Sequence, residues 1–153
     1  MSRTSGNAAE KILVSNRRAS YDYELDDHVE AGIALTGTEV KSLRAGKANL
    51  QEAWVRLDDG NATLMGCHIS PYEQGNRNNH EPLRERRLLL HSHEILRLKR
   101  ATTEKGLTVV PIRLYLKGSR VKVEIAVGRG KKNYDKRASI AARDAQRDMA
   151  RER

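Results

Sequence analysis

The sequence predicts a mainly β protein with short helices, its strands closing into a small antiparallel barrel of about six. Three observations carry this. Residues 110–117 and 121–127 alternate apolar and polar side chains around Gly118-Ser119, as a hairpin with one buried and one wet face would. Alternation also outweighs helical period in residues 21–35 and in 49–69. The 153 residues suffice for one modest core, and closure removes strand edges that so short a chain has little material to cover.

Taken in order, residues 1–11 are small and polar and read as a flexible N-terminus, with a domain from 12 to 130 and a tail from 131 to 153. Residues 21–35 predict a long strand bent at Asp26-Asp27, in which Gly32 marks a bulge or bend. Thr36 and Glu39 have capping-box spacing, so a short helix follows to about Arg44 and stops at Gly46, with Val40 and Leu43 inward and Lys41 and Arg44 outward. Residues 49–57 and 61–69 predict two strands around the turn at Asp58-Asp59-Gly60. Residues 70–87, rich in Pro, Gly, Asn and Arg, predict a long loop of the kind that binds something. Leu88, Leu89 and Leu90 return to the core, and residues 92–103 predict a helix whose partial apolar face is Ile95, Leu96 and Leu98. In the last hairpin Val110, Ile112, Leu114 and Leu116 face in with Val121, Val123, Ile125 and Val127. Among small barrels the oligonucleotide-binding type fits this element order best.

Charge is unevenly placed. The chain carries net +9, yet residues 21–30 hold five acids and no Lys or Arg, so one strip opposes a basic remainder. The tail holds eight Lys or Arg against four acids, and its only sizeable apolar side chains are Tyr134, Ile140 and Met149. It has too little to bury to offset its ordering entropy alone. On a helical projection Arg143, Arg147 and Arg151 form one stripe and several alanines the opposite face. Such a stripe repels itself in isolation and is attracted to a phosphate surface, so the tail is disordered or becomes helical on binding. The Ala face lacks the bulky groups a membrane-binding helix needs, so nucleic acid is the expected partner and no membrane is involved. A lone Cys67 fits a reducing compartment, and the absence of an apolar run in residues 1–10 makes a cytoplasmic location the expectation.

Catalytic and metal signals are weak. His91-Ser92-His93 and Cys67-His68 are the only ligand-like pairs, short of the three or four convergent ligands a metal requires, and no cofactor fingerprint occurs. Asp22, Asp26, Asp27 and Glu30 would alternate between the faces of a strand, which splits a nuclease cluster. The basic groups are more coherent: Asn16-Arg17-Arg18, then Lys41, Arg44 and Lys47, then Arg84, Arg86 and Arg87, with Tyr21, Tyr23, Trp54, Tyr72 and Tyr115 as stacking surfaces. From these residues alone a general RNA chaperone and a metal-dependent nuclease remain alternatives.

Five motifs stand together: NRRA from Asn16, EAGIALTGTEVKSLRAGKAN from Glu30, HISPYEQGNR from His68, RLLL from Arg87 and GKKNYDKR from Gly130. They closely resemble the SsrA-binding protein (small protein B) family over residues 12–149. The resemblance implies a non-enzymatic partner of transfer-messenger RNA in trans-translation. Its barrel would bind the tRNA-like domain of that RNA, and its tail would enter the empty mRNA channel of a stalled ribosome and form a helix near the decoding centre, the protein acting as a monomer in the complex. By motif, Asn16, Glu30 and Leu89 match positions tied to RNA binding: Asn16 as a direct hydrogen-bonding group, Glu30 as an acceptor or a clamp on a neighbouring Arg, Leu89 as a group that shapes the surface from within. Arg17, Arg18, Tyr21, Lys41, Arg44, Lys47 and Arg87 complete the expected RNA surface. Gly130, Lys131, Lys132, Tyr134, Asp135, Lys136 and Arg137, with Arg143 and Arg147, form the expected ribosome-facing tail. Tyr21 and Tyr134 stand where other members have His, which keeps ring stacking and removes imidazole titration.

Overall fold

The computed structural model of the chain describes residues 10–72 and 79–131. Lys132, Tyr134, Asp135, Lys136, Arg137, Arg143 and Arg147, expected in the tail, lie outside the described residues. The elements are β1 (Glu10–Ser15), α1 (Ala19–Asp22), β2 (Tyr23–Ile33), α2 (Gly37–Arg44), β3 (Ala48–Asn49), β4 (Trp54–Asp58), β5 (Asn61–Met65), β6 (His68–Ile69), β7 (Arg86–Leu89), α3 (Ser92–Lys105), β8 (Thr108–Lys117) and β9 (Arg120–Gly130). Seven strands make one antiparallel sheet in the order β1-β8-β9-β2-β7-β5-β4, and β3 pairs with β6 apart from it.

The expected closed barrel is corrected here. The sheet is antiparallel and curls until β4 lies against β8, but its order has two ends, and no ladder joins β1 to β4 among the described residues. A side chain bridges the seam instead. Asn16, just past β1, donates from Nδ2 to the carbonyl of Leu50, just before β4 (3.2 Å), and to that of Pro111 in β8 (2.9 Å). Two interruptions bend the long strands. The β2–β9 register shifts between Asp26 and Val29, where Asp27 takes φ 51°, so the expected bend is a bulge. Tyr21 and Asp22 belong to α1 rather than to this strand. The β8–β9 register shifts between Pro111 and Arg113, which moves the alternation by one: Val109 and Leu114 enter the core, and Ile112 is only half-buried.

Residues 49–69 contain four short strands instead of two long ones. Gly66 explains the second break: its φ is +70°, and a Cβ there would stand 2.8 Å from the Glu52 carbonyl oxygen, so the chain turns where no side chain fits. The turn at Asp59-Gly60 is as expected, with Asp58 paired to Asn61. In α3 the buried positions are Ile95 and Leu98, whereas Leu96, expected on that face, points to solvent.

One polar network holds α2 to the sheet. The Thr36 hydroxyl accepts from the Glu39 amide (3.4 Å), and the Glu39 carboxylate accepts from the Thr36 amide (2.8 Å), which completes the capping box. The same carboxylate, fully buried, accepts from Arg84 Nη2 (2.6 Å) and from the fully buried Arg86. Arg86 Nη1 also donates to the Cys67 carbonyl (2.7 Å). His80 adds a second pin, with Nδ1 2.9 Å from Thr38 Oγ1 and Nε2 2.9 Å from the Ile69 carbonyl. Arg86 opens β7, so the expected loop over residues 70–87 ends two residues earlier, at Glu85, and its last part is fastened to α2.

Candidate nucleic-acid interface

Register builds the site. The ladders align Ile12 with Tyr115, Tyr115 with Lys122, Lys122 with Gly32, and Gly32 with Leu89, a single row across β1, β8, β9, β2 and β7. Gly32 is the low point of that row. A Cβ there would meet Leu89 Cβ at 3.2 Å, so the glycine gives close approach rather than the expected bulge, and Leu89 lies over it. Leu89 is 59% exposed, against the expectation that it shapes the surface from within. Beside it a cleft of about 440 Å³ is lined by Glu30, Gly32, Arg87, Leu89, His91 and Lys122 among others.

Glu30 stands at the rim of this cleft. Its carboxylate accepts a hydrogen bond from the Tyr115 hydroxyl and lies 3.3 and 3.5 Å from Lys117 Nζ, so its partners are a phenol and a lysine rather than an arginine. Burial works against its ionisation, but the hydrogen bonds from Tyr115 and Lys117 and the charges of Lys117 and Lys122 together outweigh it and hold the carboxyl below its ordinary range. Tyr115 is correspondingly pushed up, by burial first and then by Glu30. Tyr115 is buried, which removes it from the expected stacking surfaces; its work is to hold Glu30. Arg87 is exposed and donates from Nη2 to Asn61 Oδ1 (2.9 Å).

The remaining expected residues fall in two other places. Near α1, Arg17 is exposed, and Arg18 donates to Asp22 Oδ2 (3.1 Å) while its guanidinium sits 5.7 Å from the centre of the Tyr21 ring. Gly130 pairs with Tyr23, and Lys131 donates from its amide to the Asp22 carbonyl (2.9 Å) and from Nζ to the Ser20 carbonyl (2.8 Å), so the expected tail starts from α1. On α2, Lys41, Arg44 and Lys47 are exposed at or just beyond the helix, with Lys41 Nζ 5.5 Å from the centre of the Tyr72 ring. Asn16 needs correction. It is buried, its side-chain NH2 donates to two carbonyls, and its Oδ1 is shielded from solvent without a hydrogen-bond partner, so Asn16 holds the corner between β1, β8 and the approach to β4 rather than standing on the surface.

The acids of residues 22–30 do not converge. Asp22 meets Arg18, Glu24 meets Arg129, Asp27 meets Arg97, and Glu30 meets Tyr115 and Lys117. Among the described residues no group of three or more His, Cys, Asp or Glu could hold a metal ion. His91 and His93 stack with ring centres 5.6 Å apart. Cys67 is buried and its thiol is pushed up to about 11 by burial, an unreactive position. No helix of the described residues is long and apolar enough to cross a membrane. Sequence reasoning missed Lys122, Lys117 and the role of Tyr115, since only pairing register brings them to the side of β2 that carries Glu30, and it missed His91, which lines the same cleft.

A curled antiparallel sheet that gathers cations, an apolar shelf and an ionised acceptor along one open cleft defines a class of protein: a small β module for binding an extended polyanion. Comparison with known proteins narrows the class. The chain belongs to the SmpB protein family, whose model matches residues 13–153. It is 58% identical over 142 residues to the SsrA-binding protein of Desulforamulus reducens, covering 92% of this chain and 88% of that one. To the SsrA-binding protein of Pelotomaculum thermopropionicum it is 54% identical over 143 residues, 94% of each chain. A solved structure presented as "tmRNA-SmpB: a journey to the center of the bacterial ribosome" contains a chain 47% identical to it, with a TM-score of 0.68 over 80% of this chain and 87% of that chain.

Proposed function

We propose that the chain is a non-catalytic RNA-binding adaptor of trans-translation, which binds the tRNA-like domain of transfer-messenger RNA and brings it to stalled ribosomes in the cytoplasm. The cross-strand row carries this reading, because its Gly32–Leu89 pairing sets Glu30 of β2, with Lys122 of β9, on the same accessible cleft as Arg87 and Leu89 of β7, which are far from both in sequence. The relatives named as SsrA-binding proteins, and the solved relative described with tmRNA and the bacterial ribosome, point the same way. Arg87 and Lys122 would neutralise phosphates, and Leu89 would lie against a ribose or an unstacked base. The Arg18–Tyr21 and Lys41–Tyr72 pairs offer further cations backed by aromatic rings. Asn16 contributes by holding the chain that carries Arg17 and Arg18. The segment after Lys131 would occupy the empty mRNA channel, its lysines and arginines on ribosomal phosphates.

Truncation after Lys131 tests the division of labour. Binding of the tRNA-like domain should stay within about threefold of the full chain, while peptide tagging on ribosomes stalled in a reconstituted translation system should disappear. Loss of both activities would show that sheet and tail are not separable. Equal affinity for unrelated structured RNAs of matched length would favour a general RNA chaperone instead.

A further inference from the structure

Glu30 is an unusual group to find at the rim of a cleft that also presents Arg87 and Lys122. A carboxylate repels phosphate, so its ionised state there needs a reason beyond affinity for the backbone. Its geometry supplies one. A carboxylate offers about four acceptor positions; Tyr115 and Lys117 approach it from β8, which leaves acceptor capacity toward the cleft. Tyr115 is buried and cannot move away, and Lys117 reaches both oxygens, so the carboxylate plane is fixed before any ligand arrives. On the same cleft, Leu89 presents an exposed apolar side chain over Gly32.

We infer that this cleft reads one unpaired guanine of the bound RNA, the Glu30 carboxylate accepting from its N1–H and N2–H groups while the base lies on Leu89. The inference rests on the adaptor reading given above. Guanine is the one common base whose Watson–Crick edge carries two adjacent N–H donors. Adenine and cytosine each set a ring nitrogen acceptor beside their amino group, and uracil flanks its single N–H with two carbonyls, so each turns an acceptor toward the carboxylate. Lys122 and Arg87, on the same cleft, are placed for the phosphates on either side of the base, which offsets the repulsion Glu30 imposes on them. Tyr115 is the positioning residue of this site: its hydroxyl orients the carboxylate and does not touch the RNA.

The test uses the full chain and a synthetic tRNA-like domain in which each unpaired guanosine is replaced in turn by inosine, which lacks the N2 amino group. One position should weaken binding to the wild type by roughly tenfold, the order expected for a bidentate contact. The same RNA should bind Glu30→Gln no worse than unmodified RNA does. Tyr115→Phe, which keeps the buried ring, should shrink the inosine penalty while leaving the thermal transition near that of the wild type. An inosine series within twofold throughout, or a penalty that persists undiminished in Glu30→Gln, overturns the inference while tight binding of unmodified RNA keeps the adaptor reading intact. Failure of the wild type to bind unmodified RNA overturns both.

Discussion

Glu39 shows how much one buried carboxylate can decide. Burial alone would raise its pKa, but Arg84, the Thr36 amide and Arg86 overcome that and lower it to about 2. A carboxyl held lower in the folded than in the unfolded chain adds stability above its unfolded value, near 4.5, and the contribution fades as pH falls toward the folded value. Stability to urea should therefore drop between about pH 5 and pH 2, by up to roughly 3 kcal/mol from this group. Glu39→Gln at neutral pH removes the counter-charge of fully buried Arg86 and should cost about 3–5 kcal/mol. A change below about 1 kcal/mol in the urea midpoint analysis would mean that Arg86 is satisfied by the Cys67 and loop carbonyls alone.

At the scale of elements, the pattern of the chain fixes most pieces and misplaces their faces. The capping box at Thr36 and Glu39, the Asp59-Gly60 turn and the Gly118-Ser119 hairpin are local chemistry and stand in the fold as the sequence predicts. What local pattern cannot register is an extra residue. The bulges at Asp26–Val29 and Pro111–Arg113 shift the alternation, which is why Ile112 was expected inside and Val109 was not. The candidate site follows the same rule. Glu30, Arg87 and Leu89 come from motifs visible in the sequence, whereas the Tyr115–Glu30 bond joins residues 85 positions apart and is created by pairing. Asn16 misleads for a related reason, since a polar residue beside two arginines reads as surface until its partners across the seam are known. Gly66 offers a test at this scale. Gly66→Ala combines a left-handed backbone angle with a Cβ 2.8 Å from the Glu52 oxygen and should destabilise the fold by about 2 kcal/mol or more, seen as a lower denaturation midpoint at unchanged slope.

For the whole molecule, charge placement sets behaviour toward a polyanion. The chain carries net +9, while its acids between residues 22 and 30 are largely engaged by its own cations and phenol. Affinity for RNA should fall steeply with salt, and replacing Lys122 or Arg87 by Ala should flatten the slope of log K against log salt by about 1 each if each releases one counterion. Unchanged slopes in both variants would place phosphate contacts elsewhere, at α1 and α2.

The grip of Lys131 on α1 has a geometric meaning. With its amide on the Asp22 carbonyl and its ammonium on that of Ser20, the last described residue has a fixed position beside Arg18 and Tyr21. Residues 132–153 therefore continue from a point held on α1. By chain geometry alone 22 residues reach about 33 Å as a helix and at most about 79 Å fully extended, so the sheet's orientation on its RNA limits how far from α1 any contact of that segment can lie.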